Sequence, residues 1–433
     1  MRSKAYRAVD VNHLQLDRLL PQRHEPLVHA GLDVGKDHIL CVLRWAAHDF
    51  ERPWRCRNPA DLARLAQALQ AVGQGRRLTV ALEPTGTYGD ALRHALRQAG
   101  LTAHRVSPKA AADYAEIFDG VPSQHDGKDA AVVAELAAQG RSWAWPLALP
   151  SEVEQELAYQ VEWLDGQRRQ TQLWYGRLEA LRSRHWPEAT RLLPLTSGVL
   201  RRCLLRYGGP RRLAEDPRAA DRLYRWGKGL LSRDKAEALV AGGQQTAGVP
   251  LGRWDEERLR RYAQQVQDGL RQQRQARRRL RQLAAALPTV RAMGEVVGVV
   301  TACVLWVELG DPRDYHCGPA YRKAMGLNLK ERSSGRWQGQ LKLSKRGPGA
   351  VRRWLYLAAL RWVRHEPVRS WYLRQKAQRR GAARPALVGV MRKLALALYR
   401  VGGRGEPFDS ARLYRGLTAT GTARGGAGAG AES

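Results

Sequence analysis

The chain has little cysteine, little acid and no long apolar run. Its five cysteines (Cys41, Cys56, Cys203, Cys303 and Cys317) stand far apart, with no Cys-x-x-Cys pair. That pattern excludes a zinc ribbon and a disulfide framework, and it fits a reducing cytosol. No apolar stretch is long enough to span a bilayer. The first 26 residues lack the apolar centre of a signal peptide, so a cytoplasmic protein is expected. Acid is the scarce charge: 41 Asp and Glu face 73 Lys and Arg, a formal net charge of +32. Self-repulsion on that scale calls for a polyanion partner and disfavours a small neutral ligand. Arg outnumbers Lys 61 to 12, as a GC-rich genome favours, but that bias does not set the net sign.

What is present is unevenly placed. Residues 1–150 hold 19 basic and 16 acidic residues, net +3, whereas residues 151–433 hold 54 and 25, net +29. Within 321–404 the balance is 22 to 2, only Glu331 and Glu366 opposing it. A nearly neutral end suits a carboxylate site, and a strongly basic end suits phosphates, with steep salt dependence. The length of 433 residues suits two or three domains.

Leu27–Gly35, His38–Trp45 and Glu51–Arg57 read as three short strands. Apolar residues then recur at helical spacing over Asp61–Val72. Leu78–Leu82 reads as a fourth strand, Tyr88–Gln98 as a helix and Leu101–Val106 as a fifth strand. A helix follows Pro108 and another spans Asp126–Ala138. This order predicts a mixed α/β sheet layer over residues 27–148. Residues 1–26 read as an N-terminal extension. Pro146 and Pro150 mark a boundary. Val153, Leu157, Val161 and Leu164, and later Leu259, Tyr262, Val266, Leu270, Leu280, Leu283 and Leu287, predict two long polar helices that pair as an antiparallel coiled coil within 149–287. Helices punctuated by Gly208-Gly209-Pro210 and Gly242-Gly243 are expected between them. Residues 288–401 read as a mainly helical basic domain, with basic helices over Arg352–Arg364 and Arg384–Val401. The Gly-rich segment 402–433 reads as a disordered tail.

Four carboxylates draw attention. Asp33 ends the first strand and Glu83 the fourth, while Asp126 and Asp129 share a face at a helix start. Strand ends and helix starts fall on one rim of an α/β sheet. Carboxylates meeting there repel and need cations to stay ionised. Mg²⁺ suits such oxygen ligands, and paired ions serve phosphoryl transfer. The plain alternative is a turn residue, an N-cap and a first-turn acid. Met293 to Ala302 places Gly294 and Gly298 before an apolar helix, a turn able to offer N–H groups to phosphate. The 11 histidines show no ligand spacing.

Gly31-Leu32-Asp33-Val34-Gly35-Lys36, Leu82-Glu83-Pro84-Thr85-Gly86-Thr87-Tyr88 and Asp126-Gly127-Lys128-Asp129-Ala130 resemble the RuvC-like (RNase H-like) domain of the bacterial "one-ten" insertion-sequence transposases. Gly298-x-x-Thr301-Ala302, Glu308-Leu309-Gly310-Asp311, Tyr321 to Leu327, Ser334-Gly335, Leu343 to Gly347 and Arg352 to Leu355 resemble that family's distal domain in order. The resemblance covers about residues 27–400. It implies a recombinase that excises and inserts a mobile element. Asp33, Glu83, Asp126 and Asp129 match the Mg²⁺-holding carboxylates, and Ser334 matches a serine that attacks the DNA phosphate and forms a covalent phosphoserine intermediate. The resemblance also implies a structured bridge RNA that guides target and donor choice, and a tetramer, a dimer of dimers, on double-stranded DNA. Departures are Val296, where the family's hairpin has glycine, and Gly127 within the Asp126–Asp129 segment.

Lys128, Arg336, Lys342, Lys345, Arg346, Arg352 and Arg353 are the expected nucleic-acid contacts. A serine hydroxyl is a weak nucleophile until it is activated, which the carboxylate site suits. Ser333 and Ser344 are rival nucleophiles, and a turn-forming Ser-Ser-Gly is the plain reading. Trp337, Trp354 and Trp371 are candidates for base stacking, with core packing as the alternative. Two other functions fit the same residues: a water-activating junction nuclease, and an inactive nucleic-acid binder.

Overall fold

Strands β2 (Leu27–Val34), β3 (His38–Arg44) and β4 (Trp54–Arg57) form an antiparallel meander, as their short apolar runs predict. In this computed structural model, residues 8–46, 49–84, 86–118, 126–145, 147, 149–331 and 341–411 are described. The chain divides into two units, Met1–Leu149 and Pro150–Ser433.

In the first unit, β5 (Arg77–Leu82) lies parallel to β2, and β6 (Ala103–Val106) lies parallel to β5. Two shorter strands complete the sheet. β1 (Val9–Asp10) pairs with β4, and β7 (Ser142–Ala144) pairs with β6. The order is β1-β4-β3-β2-β5-β6-β7. Its centre, three antiparallel strands followed by two parallel ones, is the RNase H-like arrangement to which RuvC-like domains belong. A short helix α1 (Leu16–Leu19) precedes β2. Alternation sorts the sheet's two faces. Val28, Ala30 and Leu32 bury against α2 (Leu62–Gly73) and α3 (Asp90–Gln98). Ala81 and Val106 bury against α4 (Pro108–Ala115) and α5 (Asp126–Ala138).

The second unit is helical. Its first helix, α6 (Glu152–His185), opens on a capping box: Ser151 accepts from the Glu154 backbone N–H, and Glu154 accepts from that of Ser151. Helices α7 (Pro187–Leu192), α8 (Gly198–Tyr207), α9 (Pro210–Ala214), α10 (Ala219–Gly227) and α11 (Arg233–Gln244) follow. The long α12 (Arg253–Ala284) then packs back along α6. Glu156 pairs with Arg279 at 2.5 Å, Gln273 donates to Thr171 at 2.8 Å, and the Trp174 and Tyr262 rings lie 5.3 Å apart. Partner numbers fall as α6 numbers rise, so the two helices are antiparallel. Gly208 ends α8 with a left-handed cap, as read, but Gly242 and Gly243 lie inside α11 rather than interrupting it.

The basic region is built from α13 (Pro288–Val297), α14 (Val299–Leu309), α15 (Gly318–Ala324), α16 (Gly349–Trp362), α17 (Val368–Gln378) and α18 (Ala383–Arg404). They share one core with the start of α6 and the end of α12. Two short strands, β8 (Leu329–Lys330) and β9 (Lys342–Leu343), form a hairpin. The sequence places the start of the tail at Gly402, but α18 continues through Gly402 and Gly403 to Arg404, with Gly402 against Met293 and Pro312. Among the described residues no helix is long and apolar enough to cross a membrane. All five cysteines are free thiols, four of them buried.

Candidate metal centre and nucleic-acid interface

Asp33 lies near the carboxyl end of β2. The register pairs Leu32 with Leu82, so Asp33 and Glu83 continue adjacent parallel strands side by side. Gly31 and Asp33 share a face of β2, two residues apart. That face receives α5 at close range, because Gly31 has no side chain to hold it off. The first turn of α5 carries Asp126 and Asp129. One ligand oxygen from each of Asp33, Asp126 and Asp129 lies within 4.8 Å of the others. Glu83 stands outside that trio, yet it is close enough to feel the charges of Asp33 and Asp129.

The electrostatics follow from this crowding. Burial first, then the charges of Asp129 and Asp126, push the Asp33 carboxyl up to about 6. Glu83 is raised by burial and then by Asp33 and Asp129. Three oxygen ligands this near each other, one of them half-desolvated, form a donor set for a hard divalent cation rather than a stable set of bare anions. Among the described residues no other group of three His, Cys, Asp or Glu gathers so closely.

Two supports escape a reading of spacing. Arg44 of β3 pairs with Glu135 of α5 at 2.5 Å, both largely buried, and clamps the helix to the sheet. Asn58 donates its side-chain amide to the Gly35 carbonyl at 3.0 Å, fixing the turn that follows Asp33. Lys128, expected to meet phosphate, is 2% exposed and engaged within the protein. A buried ammonium needs internal partners.

In the second unit the β8–β9 hairpin sets Lys330 directly opposite Lys342, and both are exposed. Like charges facing across a ladder repel, and an anion relieves them. Lys330 is not among the contacts expected from the sequence. Its signal there is only one more charge in a basic segment. Lys345 and Arg346 are exposed just beyond the hairpin, and the Ser344 N–H donates to the Asn328 carbonyl at 2.7 Å. Arg352 donates to the Gly347 carbonyl at 2.7 Å. Arg353 is engaged by Asp165 of α6, which ties α16 to that helix. Trp371 is 6% exposed in the core and Trp354 packs against that core, so packing describes both better than base stacking. Ser333, Ser334, Arg336 and Trp337 lie outside the described residues. Gly298, with φ of +85°, separates α13 from α14 as the glycine turn predicts.

The comparisons address both halves. A family model described as "Transposase IS116/IS110/IS902 family" matches residues 294–374. Another transposase model, carrying the Asp-Glu-Asp-Asp label of the same group, matches residues 30–162. The chain belongs to the IS116/IS110/IS902 transposase family. It is therefore an enzyme that cleaves and recombines DNA. The match over 30–162 contains Asp33, Glu83, Asp126 and Asp129, and the match over 294–374 contains the basic hairpin and Ser334. No curated protein matches this transposase. A similar solved structure is "T. thermophilus RuvC in complex with Holliday junction substrate", at 17% identity and a TM-score of 0.22, covering 28% of this chain and 99% of that one.

Proposed function

We propose that this transposase cuts and exchanges DNA strands with Ser334 as nucleophile, through a covalent phosphoserine–DNA intermediate. The observation that carries the metal-dependent part is the meeting of Asp33, Asp126 and Asp129 within 4.8 Å. These residues, with Glu83 beside them, would hold Mg²⁺. When bound, the ion supplies positive charge for the oxygens of the phosphoryl group in transfer. The serine, metal and RNA roles rest on the family resemblance.

The protein's own groups have separate tasks. As the Ser334 Oγ–phosphorus bond forms, the bond from phosphorus to the leaving deoxyribose oxygen breaks, and the hydroxyl proton must be taken up. That proton passes to water, because Asp33 is committed as a carboxylate to the cation. Lys330, Lys342, Lys345 and Arg346 bind the DNA phosphates on the serine side. Strand exchange then reverses the chemistry, with a new deoxyribose hydroxyl attacking the phosphoserine. In keeping with the resemblance, a structured bridge RNA selects the DNA, and a tetramer combines the carboxylates of one subunit with the serine of another. The antiparallel α6–α12 pair acts in that assembly as a coiled coil. The reaction takes place on the bacterial nucleoid.

The test is an adduct assay in cells carrying the protein with its flanking element DNA. SDS lysates are probed for DNA covalently bound to wild type, Ser334→Ala, Ser333→Ala and Asp33→Ala. An adduct lost in Ser334→Ala and Asp33→Ala but kept in Ser333→Ala is expected. Free cleaved ends that depend on Asp33, with no adduct, would replace the proposal with a water-activating nuclease. Undiminished strand transfer in Asp33→Ala would remove the carboxylates from the chemistry.

A further inference from the structure

We propose that a basic cleft in the helical insert of the second unit binds a single nucleic-acid strand by its phosphates. The cleft lies among the start of α8, the turn after α10 and the middle of α12, with a volume of about 940 Å³. It falls outside both segments that match the family, 30–162 and 294–374. The inference therefore goes beyond the carboxylate and serine chemistry and does not depend on it.

The cleft's charge is one-sided. Arg201, Arg202, Lys228, Arg271, Arg274 and Arg277 line it, and none of its lining residues is acidic. Several arginines of the same helical insert outside the cleft are neutralised: Arg258 faces Asp255, Arg261 faces Glu257, and Arg222 faces Asp216. Inside the cleft only Arg271 has such a partner among the described residues, Asp268 at 3.0 Å. Arg201 spends its guanidinium on the carbonyls of Thr196 and Ser197. Arg202, Lys228, Arg274 and Arg277 have no ion-pair partner among the described residues. Cations gathered in a concavity without counter-charges raise the local potential above that of a flat solvated face.

The arrangement is also regular. Residues 271, 274 and 277 are three apart on α12, so they follow one face with Cβ atoms about 5–6 Å apart. That row can follow successive phosphates of one strand. Lys228 and Arg202 supply cations from other elements lining the cleft, so the strand would run in a trough rather than over a ridge. The turn that carries Lys228 holds it at φ of +48°, with Gly229 at +82°, and leaves Leu230 95% exposed among the lining residues. Trp226 lines the cleft too, with its inner side packed against the core of the insert. A charged groove with apolar side chains for bases is the general form of a single-strand site. A duplex presents a convex rod about which a cleft of this size closes poorly.

The experiment uses the full-length protein and three labelled probes: a 12-nucleotide oligo-rU, the matching oligo-dT, and a 20-base-pair duplex. Arg274→Gln/Arg277→Gln is compared with Arg258→Gln/Arg261→Gln, which removes the same charge from the same helix outside the cleft. The cleft pair should weaken single-strand binding at least tenfold and lower the salt slope by about 1.4, with the outside pair within twofold of wild type. Lys228→Gln/Arg202→Gln, on different elements, should weaken binding similarly and guards against a local defect in α12. A preference for oligo-rU would assign the cleft to RNA, and equal binding would assign it to the backbone that RNA and DNA share. Both support the proposal. Equal losses in cleft and outside variants, no loss in either, or losses confined to the duplex would overturn it, while the adduct assay with Ser334→Ala would stand unaffected.

Discussion

Gly31 and Ala134 meet backbone to backbone. A Cβ on Gly31 would lie 2.3 Å from the Ala134 nitrogen, and 2.0 Å from the Ala130 carbonyl oxygen. This approach sets how near α5 comes to β2, and hence how near Asp126 and Asp129 come to Asp33. Gly31→Ala should therefore act on the metal centre without touching a carboxylate. The expected cost is about 1–3 kcal/mol of stability, typical of overpacking, with Mn²⁺ affinity by titration calorimetry at least tenfold weaker. Unchanged Mn²⁺ affinity would show that α5 is positioned by other contacts.

Proton and cation should compete at this centre. Asp33 is raised to about 6 in the folded protein, from an ordinary value of 3.8. A raised carboxyl contributes stability that is fully present below the unfolded value and is lost as pH rises through the folded one. Metal-free protein should lose that contribution between about pH 4 and pH 6. Over the same range Mn²⁺ affinity should rise. The melting-temperature gain from added cation should therefore be small at pH 5 and large at pH 7.5. Asp33→Asn should flatten that dependence and remove DNA cleavage.

The lysine pair across the hairpin makes a separate prediction. Lys330→Gln and Lys342→Gln each remove half of a like-charge pair. Each should leave the fold intact and reduce DNA affinity, with a salt slope lower by about 0.9 for each phosphate that is no longer neutralised. Fluorescence anisotropy at several salt concentrations reads both quantities. A slope unchanged in the double variant would remove the hairpin from the DNA interface.

The Arg44–Glu135 pair should be costly to break and cheap to replace. Glu135→Leu leaves a largely buried guanidinium without its carboxylate, at about 3–5 kcal/mol. Adding Arg44→Met should restore most of the loss, since the charge and its partner then leave together. Urea unfolding of the two single variants and the double variant measures the coupling.

Much of this is legible in the sequence, for particular reasons. α5 ends at Ala138, as read from its apolar face, because a glycine follows at 140. β2 to β6 are readable as apolar runs between turn residues. β1 and β7 are not, because strands of two or three residues carry no periodicity and depend on their neighbours for pairing. The clustering of Asp33, Asp126 and Asp129 is expected from strand ends and helix starts. The position of Glu83 outside the trio depends on distances that spacing does not encode. Lys128 reads as a surface cation because its neighbours are acids. Its burial follows from how α5 lies on the sheet, which Gly31 decides.

The short strand β1 has a consequence for the sheet as a whole. By pairing Val9 with Trp54 and Asp10 with Arg55, it occupies hydrogen-bonding groups that β4 would otherwise turn outward. An open β4 edge, with Cys56 beside Trp54, would be a template for another chain's strand. Those few residues thus act as a guard against edge-to-edge aggregation. The protection is given by backbone pairing, while Trp54 and Cys56 stay buried in the core.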